Sequence, residues 1–172
     1  MKKIIMSFVC LTILFNSLAF AGVDSKKAEF VGGTLKDKYF PNQKKNVSGL
    51  LKTEDEKMLK FEYKLGSENK VYEIPYDQIL DIEYGQKAGR RVGAAIATAI
   101  LLSPVGLFLL FSKKRKHFVT IGYKDEAGTE QVAVFELGKG IVRTTLPILK
   151  ARSGKEITYQ DEEAKKSSKG TE

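Results

Sequence analysis

The chain has 172 residues, one cysteine, one histidine and a formal net charge of +8 at pH 7. This length allows one domain of ordinary size. A single cysteine excludes a disulfide framework within the chain, and a single histidine excludes the zinc sites that use clustered cysteine and histidine ligands. The positive charge is concentrated in one region, because residues 85–124 contain eight Lys or Arg and no Asp or Glu.

The first residues have the pattern of a secretory signal peptide. Two lysines precede an apolar run, and residues 19–21 (Ala-Phe-Ala) form a cleavage pattern with small residues. We expect residues 1–21 to be removed during export and the protein to be associated with a membrane of the cell envelope, on its periplasmic or outer face. Cleavage removes Cys10 and leaves no thiol. An uncleaved N-terminal anchor is the alternative.

Apolar and polar residues alternate along most of the remaining chain, which predicts β-strands. Polar connections separate the strands, and the connection at residues 36–46 contains Pro41 and Asn42 as turn formers. The predicted strands are residues 28–35, 47–52, 58–64, 71–74, 79–84, 117–124 and 129–137.

The C-terminal part predicts a helix followed by a tail. Residues 138–152 predict a helix that Pro147 kinks or restarts, with Gly154 as its C-cap. Residues 156–159 predict a last short strand. Residues 160–172 contain mainly Lys, Glu, Ser and Gly, and this composition predicts a disordered polar tail.

We expect the strands on both sides of residues 89–112 to form one domain. The strands before this segment have no helix to cover them, and the hairpin and helix after it form too small a unit to fold alone. Residues 28–159 therefore predict a mainly β fold, a small antiparallel bent barrel or sandwich capped by a C-terminal helix. Residues 89–112 would be inserted in it as a hydrophobic helical hairpin or membrane segment.

Twenty consecutive uncharged residues, 92–111, lie in the middle of the chain. Residues 103–106 (Ser-Pro-Val-Gly) predict a central turn, so each arm has about ten residues, or ~15 Å of helix, which is half of the hydrocarbon core of a bilayer. A hairpin of this length reaches one leaflet. The side chains that we expect to enter the membrane are Val92, Ile96, Ile100, Leu101, Leu102, Pro104, Leu107, Phe108, Leu110 and Phe111.

Basic residues lie on both sides of the uncharged segment. They are Lys87, Arg90, Arg91, Lys113, Lys114, Arg115 and Lys116. We expect them to contact anionic lipids, which attract each Lys or Arg near the headgroups by about 1 kcal/mol. A nucleic-acid-binding protein usually spreads its basic residues over a folded face, between aromatic residues, so nucleic acid is not expected as a partner.

Two other arrangements of residues 92–111 are open at this point. Twenty apolar residues are long enough for a single span, and a central proline is tolerated in membrane helices. The protein would then be a single-span subunit of a bacterial envelope complex with short domains on both sides, although similar basic flanks give little preference for an orientation. A pair of helices in a soluble core is the third arrangement, and it leaves the basic flanks unexplained.

Three stretches resemble bacterial pleckstrin-homology-like or GRAM-like domains. They are residues 72–84 (YEIPYDQILDIEY), residues 117–128 (HFVTIGYKDEAG) and the helix end at residues 149–154 (LKARSG). The resemblance covers residues 28–159, interrupted by the insertion, and its motifs are structural. It implies a seven-stranded bent barrel capped by a helix, acting as a binding or scaffolding module, and it transfers no binding residues to this chain. The apolar insertion departs from the usual soluble pattern of these domains.

No motif indicates an enzyme. The chain lacks the His-Glu-x-x-His and Gly-x-Ser-x-Gly patterns. Gly138-Lys139 resembles the end of a phosphate-binding loop, but Ala133 replaces its first glycine and Gly140 replaces the Ser or Thr that binds magnesium. We therefore expect a non-catalytic, membrane-associated module without cofactor or metal, whose partners are anionic membrane lipids and a protein of the envelope.

Overall fold

The computed structural model describes residues 27–43, 45–86 and 117–169. These residues form a mainly β fold with eight strands and three helices. The strands are β1 (Lys27–Gly33), β2 (Val47–Lys52), β3 (Met58–Leu65), β4 (Glu68–Pro75), β5 (Ile79–Gly85), β6 (His117–Lys124), β7 (Glu130–Leu137) and β8 (Ile157–Tyr159). The helices are α1 (Lys36–Tyr39), α2 (Lys139–Ser153) and α3 (Glu162–Lys169). The predicted signal peptide, residues 1–21, and the predicted insertion, residues 89–112, lie outside the described residues.

The eight strands form one sheet in the order β4-β3-β2-β1-β7-β6-β5-β8. Neighbouring strands are antiparallel except for β5 and β8, which are parallel. The predicted mainly β fold with a C-terminal helix is confirmed, but the sheet formed by the described strands is mixed and does not close into the predicted antiparallel bent barrel. β4 and β5 do not pair, because Pro75 ends β4 and a 3-10 turn, Tyr76–Gln78, separates the two strands. α2 contacts this turn.

β1 joins the two groups of strands. Phe30 of β1 lies opposite Val47 of β2 on one side and opposite Phe135 of β7 on the other. β2 belongs to the part of the chain before the predicted insertion, and β7 belongs to the part after it. Residues from both sides of the insertion therefore form a single sheet.

The main core lies on one face of this sheet. In β3, Leu59, Phe61 and Tyr63 are buried and alternate with more exposed lysine and glutamate side chains, as expected for a strand with one covered face. The apolar side chains of α2 cover the same core: Ile141, Val142, Leu146 and Leu149.

Aromatic rings fill the centre of the core. The ring of Phe30 packs against those of Phe40, Tyr72 and Phe135, with centroids 4.1, 5.8 and 5.7 Å away. Such pairs each contribute about 0.5–1.5 kcal/mol beyond the burial of their surface. Phe40 directly follows α1, in a connection that the sequence predicts to be polar, so burial of this one ring explains why the short helix lies against the sheet.

The C-terminal residues also differ from the sequence-based expectation. Residues 162–169, which their composition predicts to belong to a disordered tail, form α3. The Asp161 carboxylate accepts a hydrogen bond of 2.7 Å from the N–H of Ala164, and the Ala164 side chain is fully buried in the main core. One small apolar residue and one capping carboxylate therefore hold a helix whose other residues are mostly polar.

Arg152, near the end of α2, connects this helix to two turns of the chain. Its guanidinium donates hydrogen bonds to the carbonyl oxygens of Thr53 and Asp55, in the turn between β2 and β3. It also donates to the hydroxyl of Tyr76 and lies over that ring, 5.3 Å from its centroid. One side chain thus fixes α2, the β2–β3 turn and the 3-10 turn together.

Arg152→Ala is expected to lower the free energy of unfolding by about 2 kcal/mol, because hydrogen bonds from a charged donor contribute about 1.5–3 kcal/mol. Urea denaturation followed by circular dichroism measures the change. Arg143→Ala, at an exposed position of the same helix, is the matched control and should shift the value by less than about 0.5 kcal/mol. Equal effects of the two changes would contradict the assigned role of Arg152.

The carboxylate of Asp55 organises the same turn. It accepts hydrogen bonds from the N–H groups of Lys57 and Met58, at 2.8 and 3.1 Å, and pairs with the Lys60 ammonium at 2.8 Å. The hydrogen bond with Lys60, followed by those from the backbone, lowers the pKa of Asp55 from the usual 3.8 to about 2.

Asp55→Asn is expected to lower the urea midpoint at pH 7, by an amount that decreases in acid. Because the pKa in the folded state lies below 3.8, the stabilisation is complete above that pH and is lost as the pH falls towards 2. Midpoints measured from pH 7 to pH 2 should therefore converge for the two proteins. The control is Glu56→Gln at the exposed neighbouring position. A constant difference over the whole pH range would contradict the assignment.

Candidate functional site

The two ends of the predicted insertion meet at one point of the sheet. Gly85, near the end of β5, lies directly opposite Phe118, near the start of β6. Directly opposite residues of antiparallel strands have Cα atoms about 4.5–5.5 Å apart. We call residues 84–86 and 117–118 the insertion neck. The basic clusters that begin at Lys87 and end at Lys116 are therefore joined to the sheet at the same place.

Tyr84 makes hydrogen bonds that link the two strands of the insertion neck and α3. Its hydroxyl lies 2.5 Å from Nδ1 of His117 and 3.0 Å from Oγ of Ser167 in α3. The Tyr84 and His117 rings are nearly parallel, with an interplanar angle of 8° and centroids 6.1 Å apart. Burial raises the pKa of Tyr84, so its hydroxyl stays neutral near pH 7. The contacts join β5, β6 and α3 where the insertion begins and ends.

The segment that follows α2 pairs with β5 on the edge that β6 does not occupy, next to the insertion neck. β8 pairs in parallel with β5, and Tyr159 lies opposite Tyr84. The N–H of Gln160 donates a 3.0 Å hydrogen bond to the carbonyl oxygen of Tyr84, and its side chain fills the space into which a Cβ at Gly85 would project. The edge of β5 that β6 leaves free is therefore occupied by the protein's own C-terminal segment.

The residues that the sequence predicts to bind the membrane lie outside the described part of the chain. The predicted membrane-inserting residues are Val92, Ile96, Ile100, Leu101, Leu102, Pro104, Leu107, Phe108, Leu110 and Phe111. The predicted lipid contacts are Lys87, Arg90, Arg91, Lys113, Lys114, Arg115 and Lys116. Among the residues that the structure does describe, none of the helices has the length and hydropathy needed to span a bilayer.

A second candidate region is an open groove where the sheet fails to close. It has a volume of about 1130 Å³ and lies between β4 and the turn that joins β6 to β7. Side chains of both charges line it, including Lys38, Lys57, Glu73, Lys124, Asp125 and Arg152. In the described ranges, no cluster of three or more His, Cys, Asp or Glu residues could hold a metal ion.

Two tyrosines bridge the sheet beside this groove. The hydroxyls of Tyr72 in β4 and Tyr123 in β6 are 2.6 Å apart, and the Tyr123 side chain reaches the groove wall. Burial is the main cause that raises the pKa of both groups, that of Tyr123 to about 12. The hydroxyls are therefore neutral near pH 7, and they can donate hydrogen bonds but do not serve as bases.

Among the described strands, β4 pairs only with β3, so its other backbone edge faces the groove. The N–H of Tyr76 donates to the carbonyl oxygen of Lys57, which continues the β3–β4 register. Because the bonding direction alternates along an antiparallel strand, Val71 and Glu73 direct their N–H and C=O groups away from β3, towards the groove. Pro75 faces the groove in the same way as Val71 and Glu73, and as a proline it has no backbone N–H that would need a partner there. The groove can thus accept an extended polypeptide as an additional strand.

Sequence patterns did not identify this groove or the contacts of Tyr84. The residues that form the groove and the Tyr84 contacts are far apart in the chain, and short sequence motifs do not indicate which distant residues come into contact. One usable signal was Pro75 at the end of an alternating stretch, since proline within a sheet is confined to edges, strand starts and bulges.

Neither a protein-family model nor a curated protein sequence matches this chain. The resemblance to pleckstrin-like and GRAM-like domains therefore stays a prediction from the sequence.

Tyr84→Phe removes the hydroxyl but keeps the buried ring, and is expected to lower the free energy of unfolding by about 1 kcal/mol. Ser167→Ala should remove part of the same interaction. A double-mutant cycle by urea denaturation should show that the two changes together cost less than the sum of their separate effects. Strict additivity would contradict the proposed coupling of α3 to the insertion neck.

Proposed function

We propose that this protein is an exported, non-catalytic binding or scaffolding module that attaches to a membrane through residues 92–111 and their basic flanks. The observation that carries the proposal is the geometry of the insertion neck, where Gly85 and Phe118 are cross-strand neighbours. An apolar segment that begins and ends at one point of a folded sheet has to turn back on itself.

This geometry favours a hairpin over a single span. A single crossing would place the two ends of the segment on opposite sides of a hydrocarbon core about 30 Å thick. Cross-strand neighbours cannot be separated in this way without breaking the pairing of β5 with β6. A hairpin with its turn near Pro104 keeps both ends on one side, and its arms of about ten residues enter one leaflet.

The distribution of charge supports an anionic lipid surface as the partner. The seven basic residues that flank the segment account for all but one of the chain's net eight positive charges. Because both flanks leave the sheet at the neck, these charges act on the same patch of membrane. At about 1 kcal/mol for each residue held near the headgroups, they complement the apolar insertion.

A pleckstrin-like or GRAM-like module is part of the proposal. The strand order β4-β3-β2-β1-β7-β6-β5, followed by α2, agrees with the seven strands and closing helix that the resemblance implies. The open sheet and the additional β8 and α3 depart from it. We place the protein partner at the groove beside β4, where an extended segment of an envelope protein would pair with the free edge.

Vesicle flotation tests the membrane proposal. The protein is expected to float with vesicles that contain phosphatidylglycerol and to float much less with neutral phosphatidylcholine vesicles. Replacing Arg90 and Arg91 with Gln should weaken partitioning about 30-fold, corresponding to about 2 kcal/mol. The matched control replaces Lys165 and Lys166, both exposed on α3, and should change partitioning little.

Residues 87–116 can also be replaced by a four-residue Gly-Ser linker, because Gln86 and His117 follow on in the β5–β6 register. This variant should keep the circular dichroism of a folded sheet and lose vesicle binding. Equal flotation with both vesicle types, or binding that survives the replacement, would overturn the proposal. Loss of the sheet on replacement, together with thiol labelling of Ser67→Cys and Ser153→Cys on opposite sides of a membrane, would support the single-span subunit instead.

A further inference from the structure

The sheet has a second buried apolar face, opposite the main core. Cross-strand neighbours share a face, and the register places Thr120 beside Val134, with Phe118 and Val132 two positions away along β6 and β7. Val31 of β1 lies at the bulge between Phe30 and Gly32, next to the pair formed by Gly32 and Val134, and belongs to the same set. We call Val31, Phe118, Thr120, Val132 and Val134 the second face. Each of these side chains is only 1–5 % exposed.

The described helices do not explain this burial. The buried apolar side chains of α2 and α3 belong to the main core cluster, whereas Val31, Phe118, Val132 and Val134 are buried but lie outside that cluster. The contrast with β3 is clear, because the corresponding face of β3 carries lysine and glutamate side chains that solvent reaches. Residues 118–123 of β6, by comparison, are buried on both faces.

Acidic residues border the second face. Glu83 of β5 is the cross-strand neighbour of Thr120, and Glu136 of β7 is the neighbour of Phe118 and of Glu29. Glu83 is only 8 % exposed. A carboxylate at such a depth requires a polar or cationic partner, and both Glu83 and Glu136 take part in such interactions. The face is thus apolar at its centre and negative at its border.

We propose that the second face is the docking surface for residues 92–111 of the same chain. This segment is uncharged, and basic residues precede and follow it, so its pattern is the complement of an apolar face with an acidic border. It is also attached at the right place. Phe118 belongs to both the second face and the insertion neck, so the segment starts and ends at the edge of the surface that it covers.

This inference goes beyond the proposed function, because it assigns a protein surface to the segment that we expect to enter the membrane. The segment cannot occupy the bilayer and the second face at once. Docking keeps its apolar side chains out of water before the protein reaches a membrane, and attachment requires the segment to leave the sheet. Membrane binding then exposes the second face.

Thiol labelling of the second face tests the inference. The full chain carries Cys10→Ser, so that Thr120→Cys provides the only thiol, and its reaction rate with a maleimide is measured in the absence of lipid. Replacing residues 87–116 with the Gly-Ser linker should speed labelling at least about tenfold, because a buried thiol reacts only when its cover opens. Ser67→Cys, in an exposed turn, is the control and should react at the same rate in both chains.

Equal labelling of Thr120→Cys with and without the segment would overturn the inference. If labelling accelerates only when residues 1–26 are removed, those residues cover the face and the inference is wrong. Should the replacement variant fail to fold, cross-linking in the intact chain decides. Mild oxidation of the intact chain should join Thr120→Cys by a disulfide to at least one of Thr98→Cys and Ser103→Cys but not to Ser67→Cys, because docking brings the two thiols into contact without admitting a bulky reagent. The absence of any such disulfide would overturn the inference.

Vesicles separate this inference from the proposed function. With phosphatidylglycerol vesicles, labelling of Thr120→Cys should accelerate as the protein floats. If the segment protects the Thr120→Cys thiol but the protein does not float with the vesicles, the docking surface is retained and membrane attachment is refuted. Flotation of a chain whose Thr120→Cys thiol is never protected would retain membrane attachment and refute the docking surface.

Discussion

The pairing of β5 with β6 is the constraint on which the rest of the structure depends. It rejoins the chain after the uncharged segment, and together with the pairing of β1 with β7 it connects the strands before that segment to the strands after it in one sheet. Without it, β5 and β8 would lose their place in the sheet, and β1 and β7 alone would connect the strands before the uncharged segment to those after it. The same pairing brings residues 86 and 117, which flank the predicted insertion, to one point of the sheet.

The two halves of the sheet differ in how far they are buried. β6 and β7 are covered on both faces, whereas β2, β3 and β4 have one covered face, and β4 is the last of the described strands at its end of the sheet. The register of a strand that is buried on both faces is strongly specified, so a segment attached to it starts from a fixed position. An edge with free backbone groups is suited to exchanging partners. The proposed function thus assigns membrane attachment and partner binding to opposite halves of one sheet.

The sequence predicts the individual strands and helices well, but it does not predict which of them pack together. β2 and β6 have the predicted bounds, because alternation between buried and exposed side chains, or a short apolar run between turns, is a local property. α3 was missed because its stability depends on a single buried alanine, Ala164, amid polar residues. The groove and the contact between Tyr72 and Tyr123 could not be predicted, since these tyrosines are 51 positions apart. The apolar run in β6 predicts a strand, but it does not reveal which segment covers each face.

The order of the strands along the chain also determines when they can meet. In a chain that emerges from its N-terminus, β1 and β5 appear before their partners β7 and β6, and the uncharged segment appears between them. Until residue 117 and its successors arrive, β1 and β5 each keep an unsatisfied edge beside a newly exposed apolar stretch. Unpaired edges and apolar segments are the features through which nascent chains aggregate. The position of the uncharged segment therefore lengthens the period in which the growing chain is exposed to aggregation.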